Sequence, residues 1–494
     1  INIYLKTASR DMEEIEPIDL KPGNSQEQTY SELSLGKKLL SLLSLLQMSL
    51  PIILSFECLP LASLINVVWL RDYENAEIMI GSLSLAQAWN NLFVNSLIFS
   101  VNQGLSVLVS HAFGAGKTRL CGYYLQRGIV ILGSVFIAVF FLLWFGADIL
   151  KWTGVESDLT NFARVYNRVS IPAVVGMGLF ECLKSFIIAQ KVFAPIVYIQ
   201  LVTLGLHFFW SFLFLKVLHL GMAGAALCRF CEDWSNCILL FIYIKKSGKF
   251  EETFIPWDNE EAFNKEKLKK QIRFTLPMAG VTYFEFIYFD FMLFIAGTLG
   301  TRQVVAHLAI AQTSTMNFFM QLGVSITAMS LIGNALGEKN IQKAKDWFTK
   351  CLHTGLITCF IVMGCLFIFK RKWYGLWATE PKTLEVILGA CYIYIFGMLP
   401  LDSVMNAMLA VLKACGMQDF VNKWTLLGLY CIGCPLTLIL IFIFDLQVRG
   451  LWLGFFVPFF MMSVMFAWAI YNITWKEVVA EIHARLKESS YHIL

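Results

Sequence analysis

Twelve apolar stretches, each long enough to cross a bilayer, fill the chain from about residue 39 to residue 474. A hydrocarbon core about 30 Å thick takes about 20 mostly apolar residues per helix. Backbone groups in lipid must be satisfied within their own segment, so stretches of this kind fold as helices. A water-soluble domain does not carry 57% hydrophobic and only 15% charged residues over 494 positions, nor a mean hydropathy of +0.64. The expected fold class is all-α, a polytopic membrane protein with twelve transmembrane helices in two six-helix pseudo-symmetric halves. The first six spans fall at roughly 39–69, 78–112, 123–149, 159–188, 193–217 and 221–244. The second six fall at roughly 273–298, 304–335, 344–369, 384–412, 420–444 and 449–474.

An even number of spans leaves both chain ends on one side. With that side cytoplasmic, Lys117, Arg119, Lys191, Lys245, Lys246, Lys249, the cluster from Lys265 to Arg273, Lys339, Lys343 and Lys345 all lie inside. That is the positive-inside pattern. Lys370-Arg371-Lys372 breaks it, as a helix end that snorkels to the interface would. Residues 1–36 are polar, carry mixed charge and lack the apolar core of a signal peptide, so a flexible cytoplasmic tail is expected. The pairs Cys228/Cys231 and Cys431/Cys434 lie in apolar helices without ligands at metal spacing, and read as small packing thiols. Asn472-Ile473-Thr474 is a glycosylation sequon on the wrong side of the membrane for use. Ala115-Gly116-Lys117-Thr118 imitates the end of a phosphate loop, but His111 stands where the leading glycine belongs and no strand precedes it.

The chain repeats itself. His111-Ala112-Phe113-Gly114 closes the second span and Asn334-Ala335-Leu336-Gly337 the eighth, with the two glycines 223 positions apart. A glycine just past a helix is a common left-handed stop, so both are expected to end helices before a basic loop. Pro51 opens the first span and Pro277 the seventh, 226 positions apart. The division that follows is a tail over 1–36, a half over 37–247, a charged linker over 248–272, a second half over 273–474 and an amphipathic tail over 475–494. Parallel repeats of this kind are a carrier design.

At this point the residues resemble a family, the multidrug and toxic compound extrusion transporters of eukaryotic type. His111-Ala112-Phe113-Gly114 with Leu125-Gln126-Arg127-Gly128 is similar to its second-to-third span connection, with His111 where glutamine is usual. Gly221-Met222-Ala223-Gly224-Ala225-Ala226 with Trp234 and Asn236 resembles its sixth span, and Leu276-Pro277 with Glu285 and Asp290 its seventh. Val411-Leu412-Lys413 with Gly416 and Gln418 is similar to its tenth, with Lys413 where arginine is common. Gly450-Leu451-Trp452-Leu453-Gly454 matches its twelfth. The resemblance implies that Glu285, Asp290 and Asp402 serve substrate binding or cation coupling.

The intramembrane acids point the same way on chemical grounds. A charged side chain at a helix centre costs about 2.5–3.5 kcal/mol or more, so each asks for a reason. Glu285 and Asp290 follow Pro277 in a run of Phe and Tyr, and Asp402 lies in the tenth span. None has a Lys or Arg within four residues along its helix. A carboxyl that changes ionisation as its exposure alternates is what an antiporter needs. Five residues is about 140° around a helix, so Glu285 and Asp290 should not share one stripe. Glu181 corresponds to Asp402 in the repeat, but Lys184 is three residues on and could pair with it, so a structural pair is the favoured reading there. Glu57 has no obvious partner. Asn66 stands where some family members carry Asp. Glu232 and Asp233 sit within reach of Arg229, as an intrahelical ion pair would. Tyr283 and Tyr288 bracket the acids, and aromatic faces beside carboxylates suit flat organic cations. Asn91, Gln312 and Asn317, with other amides of spans two and eight, are expected to line a cavity.

The reading is a secondary antiporter, not an enzyme, that exports organic cations or other xenobiotics in exchange for protons, with sodium as the alternative coupling ion. No cofactor, no metal and no nucleic acid enter it. The expected partners are the lipid bilayer and a small cationic substrate, the expected state a monomer, and the expected site the plasma membrane or an endomembrane such as the vacuole. A lipid-linked oligosaccharide flippase on the same helix bundle would favour arginine in its cavity, and these spans are poor in it. A major-facilitator carrier would need an acid among residues 114–128, where there is none. An intramembrane enzyme would need a nucleophile or metal set, and a channel a filter sequence.

Overall fold

The computed structural model describes residues 35–378 and 380–490, so the expected N-terminal tail lies almost wholly outside it. Twelve long helices follow one another. They are α1 (Leu35–Leu70), α2 (Ala76–Gly114), α3 (Thr118–Trp152), α4 in two pieces (Ser157–Val169 and Ile171–Ala189), α5 (Ala194–Val217) and α6 (Gly221–Lys246). After a linker come α7 (Lys265–Gly297), α8 (Thr301–Gly337), α9 (Ile341–Gly375), α10 (Pro381–Ala414), α11 (Gln418–Phe442) and α12 (Gln447–Tyr471). Among the described residues, eleven are long and apolar enough to cross a membrane; α6 falls outside that group because Arg229, Glu232 and Asp233 interrupt it. The chain is a multi-pass integral membrane protein, as its apolar runs require.

Several boundaries differ from the expected ones for physical reasons. Pro51 and Pro277 do not open their helices but sit inside α1 and α7, which run on through them. An interior proline forfeits one backbone bond, and in a membrane the packing of neighbouring helices holds the helix together. The Lys265–Lys270 cluster belongs to the first turns of α7, whose start is capped by the Asn264 side chain accepting from Lys267 N at 3.1 Å. The fourth span is interrupted at Ser170, before Pro172. Gly114 and Gly337 are helical; the left-handed residues come two positions later, at Gly116 (φ 72°) and Lys339 (φ 59°). All thirteen cysteines are free.

What Gly114 and Gly337 supply is close approach. A β-carbon at Gly114 would meet the Asn334 carbonyl oxygen at 2.1 Å, and one at Gly337 would meet that of His111 at 2.4 Å. Each glycine therefore lets the end of one half's second helix lie directly on its counterpart in the other. Across the halves α2 packs on α7 and α8, and α1 on α8 and α9. Along this lysine-rich end every residue over 102–112 of α2 and 321–337 of α8 is buried. Toward the other end Asn91, Gln312, Thr315 and Met316 of the same two helices are exposed. The halves are thus shut against each other at the lysine-rich end, while the same two helices carry exposed positions toward the other.

A thirteenth helix, α13 (Trp475–Ser490), lies over the shut end with Val479, Ile482 and Leu486 buried. It touches both halves. Lys117 Nζ donates to Leu486 O at 2.9 Å and Ser490 Oγ at 3.0 Å, while His483 Nε2 meets Gly337 O at 3.0 Å. The amphipathic pattern is thus spent on the protein rather than on lipid. Burial, and then the Lys339 charge, hold the His483 imidazole below its ordinary value. Docking therefore favours neutral His483. Its contribution is full above the free value near 6.5 and fades as pH falls below it. Hydrogen exchange over residues 475–490 should accelerate, relative to intrinsic rates, between about pH 7.5 and about pH 5.5.

Candidate functional site

Two of the three candidate acids of the second half, Glu285 and Asp402, lie inside the bundle within electrostatic reach of one another. On α7, Val281, Glu285, Tyr288, Met292 and Ile295 recur at helical spacing and form its buried stripe. Glu285 is only 8% exposed, and its Oε1 finds no hydrogen-bond partner. Asp402, near the start of the inner part of α10, accepts from Asn406 Nδ2 at 2.9 Å and from Asn317 Nδ2 of α8 at 3.3 Å. Lys413, at the other end of the same helix, acts on Glu285 as the nearby positive charge. Two carboxyls and one ammonium thus share an apolar interior, where an uncompensated charge is expensive.

Asp290 stands off the Glu285 stripe, half-buried, one turn beyond Phe286, whose ring meets Phe318 of α8 edge-on at 5.9 Å. Among the described residues Asp290 makes no hydrogen bond or ion pair. Tyr283 is half-buried beside Phe284. Tyr288, expected on a cavity wall, is instead fully buried, edge-on to Phe455 at 5.3 Å and to Tyr430 at 5.9 Å. It shares the inward stripe of α7, and the space it meets there is filled by α11 and α12. Asn317 is buried on Asp402, whereas Gln312 and Asn91 are exposed, the latter accepting from Asn95 Nδ2 at 2.7 Å.

The first half holds most of its intramembrane charges in pairs, with Glu57 the exception. Glu181 and Lys184 form a buried ion pair, with Lys184 Nζ over the Phe56 and Phe180 rings at 5.2 and 5.5 Å. The pair lines a small cavity between the halves with Phe56, Phe99, Gln103 and Met329. Removing one partner of such a pair leaves a buried charge, which costs about 3–5 kcal/mol, whereas an apolar pair of like volume is tolerated. Lys184→Met alone should therefore lower the melting temperature in detergent, and Glu181→Leu combined with Lys184→Met should recover most of the loss. Recovery failing in the double variant would mean that Glu181 is not held by this pair.

Arg229 pairs with Asp233 at 3.4 Å, as expected, and also donates to Asn95 Oδ1 at 2.9 Å. Glu232 does not join it. Its Oε2 stands 2.8 Å from His207 Nδ1, off the ring N–H direction. His207 Nε2 and Ser211 Oγ meet Asn66 Oδ1 at 3.2 and 2.8 Å. Glu57 is half-buried, without a hydrogen-bond partner among the described residues. One participant, His207, escaped the sequence reading, and two others, Lys413 and His111, were noted there without their partners. His207 lies in an uninterrupted apolar run, which is a signal. Lys413 was visible as a charge in the tenth span, but its partner was not. His111 is fully buried, with Nε2 2.8 Å from Ala414 O of the other half.

Comparisons with known proteins agree with the twelve-helix fold. The family model described as MatE matches twice, over residues 51–213 and 277–439, more than half of the chain. Both matches begin at the paired prolines. The chain is 24% identical over 444 residues to multidrug and toxin extrusion protein 1 of Danio rerio, covering 89% of this chain and 74% of that protein. It is 26% identical to protein DETOXIFICATION 16 of Arabidopsis thaliana, covering 83% and 84%. Its fold superposes on the eukaryotic MATE transporter AtDTX14 with a TM-score of 0.83, at 21% identity, over 90% of this chain and 99% of that one. A multidrug resistance MATE family transporter in an outward-facing conformation gives a TM-score of 0.77 at 14% identity, over 89% and 96%.

Proposed function

Because the chain belongs to the MatE family of membrane transporters, we propose that it exports organic cations in exchange for protons, using Glu285 and Asp402 as the groups for which the two compete. The observation that carries this is the buried carboxyl of Glu285, whose Oε1 has no hydrogen-bond partner and which lies within electrostatic reach of Asp402. An ionised carboxyl in that setting is stabilised only by a cation, so a proton and an organic cation exclude one another there. Tyr283 and Phe286 offer ring faces near the acids for a flat cation. Asp290 supplies a further carboxyl on the adjoining face.

The cycle follows from the shut and open ends. In this reading the lysine-rich end is the cytoplasmic one, so its burial closes the site on that side and leaves release to the opposite compartment. A proton arriving from that side neutralises the carboxyl and releases the bound cation. The halves then rock about the site, the proton leaves to the cytoplasm and a new cation takes its place. Everted vesicles with an imposed pH gradient test this directly. A fluorescent organic cation should accumulate when the lumen is acid and leak out when a protonophore collapses the gradient. Accumulation that follows a sodium gradient and ignores pH would replace the proton by sodium.

A further inference from the structure

We propose that Lys413 is the positioning residue that keeps the empty carrier from alternating, by tying the two halves together for as long as Glu285 is ionised and unoccupied. The inference rests on Glu285 being the group that is loaded and unloaded.

Lys413 is buried, 6% exposed, and belongs to the second half. Its Nζ donates to Gln103 Oε1 of α2 in the first half at 2.7 Å, and to Thr282 Oγ1 of α7 at 3.0 Å. Thr282 lies one turn before Glu285 on the same face of α7. Thr282 Oγ1 also reaches Gln103 Oε1, at 3.4 Å. A lysine, a threonine and a glutamine from three helices thus meet at one point, and that point straddles the interface between the halves.

The charged groups around it are few. Glu285 acts on it from α7, and Asp402 acts on Glu285 from about three turns earlier on α10. From α2, His111 bonds the carbonyl of Ala414, next to Lys413 in the chain, and Arg485 of α13 acts on that imidazole. The Glu181–Lys184 pair shares a cavity with Gln103 and neutralises itself. Glu285 is therefore the carboxyl that compensates Lys413.

The consequence has a sign. With Glu285 ionised and empty, Lys413 is compensated and stays, and its bond to Gln103 holds the halves together. With Glu285 protonated or occupied by a cation, Lys413 becomes an uncompensated buried charge. It then leaves for water, and the bond to Gln103 goes with it. Loaded carriers are freed to alternate and the empty one is not, which is what obligatory exchange demands.

The test measures the distance between the halves and transport on the same protein. Spin labels at Lys249 and Gln342, attached through encoded ketone side chains so that native thiols stay untouched, report the cytoplasmic ends. In the parent protein the short distance should dominate at alkaline pH and give way at acid pH. Lys413→Met and Gln103→Leu should both mix the two distances at alkaline pH, shifting the ratio about tenfold or more. Both should also let substrate run down its gradient without a counter-ion. Lys413→Arg, which keeps charge and reach, should restore the parent pattern, and that separates a lost bond from a misfolded variant. A Lys413→Met distance profile identical to the parent's at both pH values overturns the proposal. If instead the parent shows no pH-driven exchange while the variants still shift the distance, the tie between the halves stands and the Glu285 loading reading falls.

Discussion

Glu285→Gln is expected to abolish accumulation driven by a pH gradient while the protein still folds and inserts. The substitution keeps shape and hydrogen-bonding capacity and removes the ionisable group. A desolvated charge partner contributes about 2–5 kcal/mol when its counterpart is deleted, so affinity for an organic cation should fall by about 30-fold or more. Asp402→Asn should act in the same direction but less, because Asn317 and Asn406 already satisfy that carboxyl and remain able to bond its amide. Dye accumulation in everted vesicles, with binding measured separately by fluorescence polarisation, checks both. Unimpaired accumulation in Glu285→Gln would remove this residue from the transport reaction.

The second large effect belongs to the glycines at the shut end. Gly114→Val places a side chain against the backbone of Asn334, where even a β-carbon would lie at 2.1 Å. Neither partner is a flexible side chain that can turn aside, so the two halves must separate. Overpacking of a core costs about 1–3 kcal/mol when side chains can adjust. A backbone that cannot adjust sets that range as a floor, so the sealed conformation should be depleted by about tenfold or more. Export should fail, and a cysteine placed at Ser106 in a thiol-depleted background should react from the cytoplasmic side. Gly337→Val should behave alike, through the His111 carbonyl. A Gly114→Val protein that exports normally would show that the contact at this end is dispensable.

The helices and their pairing into halves could be read from the sequence because the bilayer imposes the length of each apolar run and leaves few alternatives. Glu285 and Asp402 could be read because a carboxyl in such a run is anomalous. The angular offset of Asp290 from Glu285 followed from helix geometry alone. What the chain did not disclose is partnership across distance. Gln103 lies 310 residues from Lys413, and nothing in either neighbourhood names the other. Tyr288 was assigned to a cavity wall from its nearness to Glu285, but sequence cannot say which side of a helix meets another helix and which meets space. The glycines that end α2 and α8 were taken as turns because that is the commoner use of a terminal glycine. Their service to a backbone contact is a tertiary fact.

The plug formed by residues 102–112 and 321–337 has an electrical meaning as well. At 1.5 Å per residue it is about 16–25 Å thick, a large part of the bilayer's insulating depth. In a carrier open to the far compartment, solution reaching the plug brings that compartment's voltage along, and the field concentrates across the plug. A group just above it, such as Glu285, is charged or discharged at almost no electrical work, and the work falls on the rocking step. Each net elementary charge carried through then changes that step by about 2.3 kcal/mol per 100 mV. Turnover of this protein should accordingly respond to membrane potential through its conformational exchange rather than through ligand affinity.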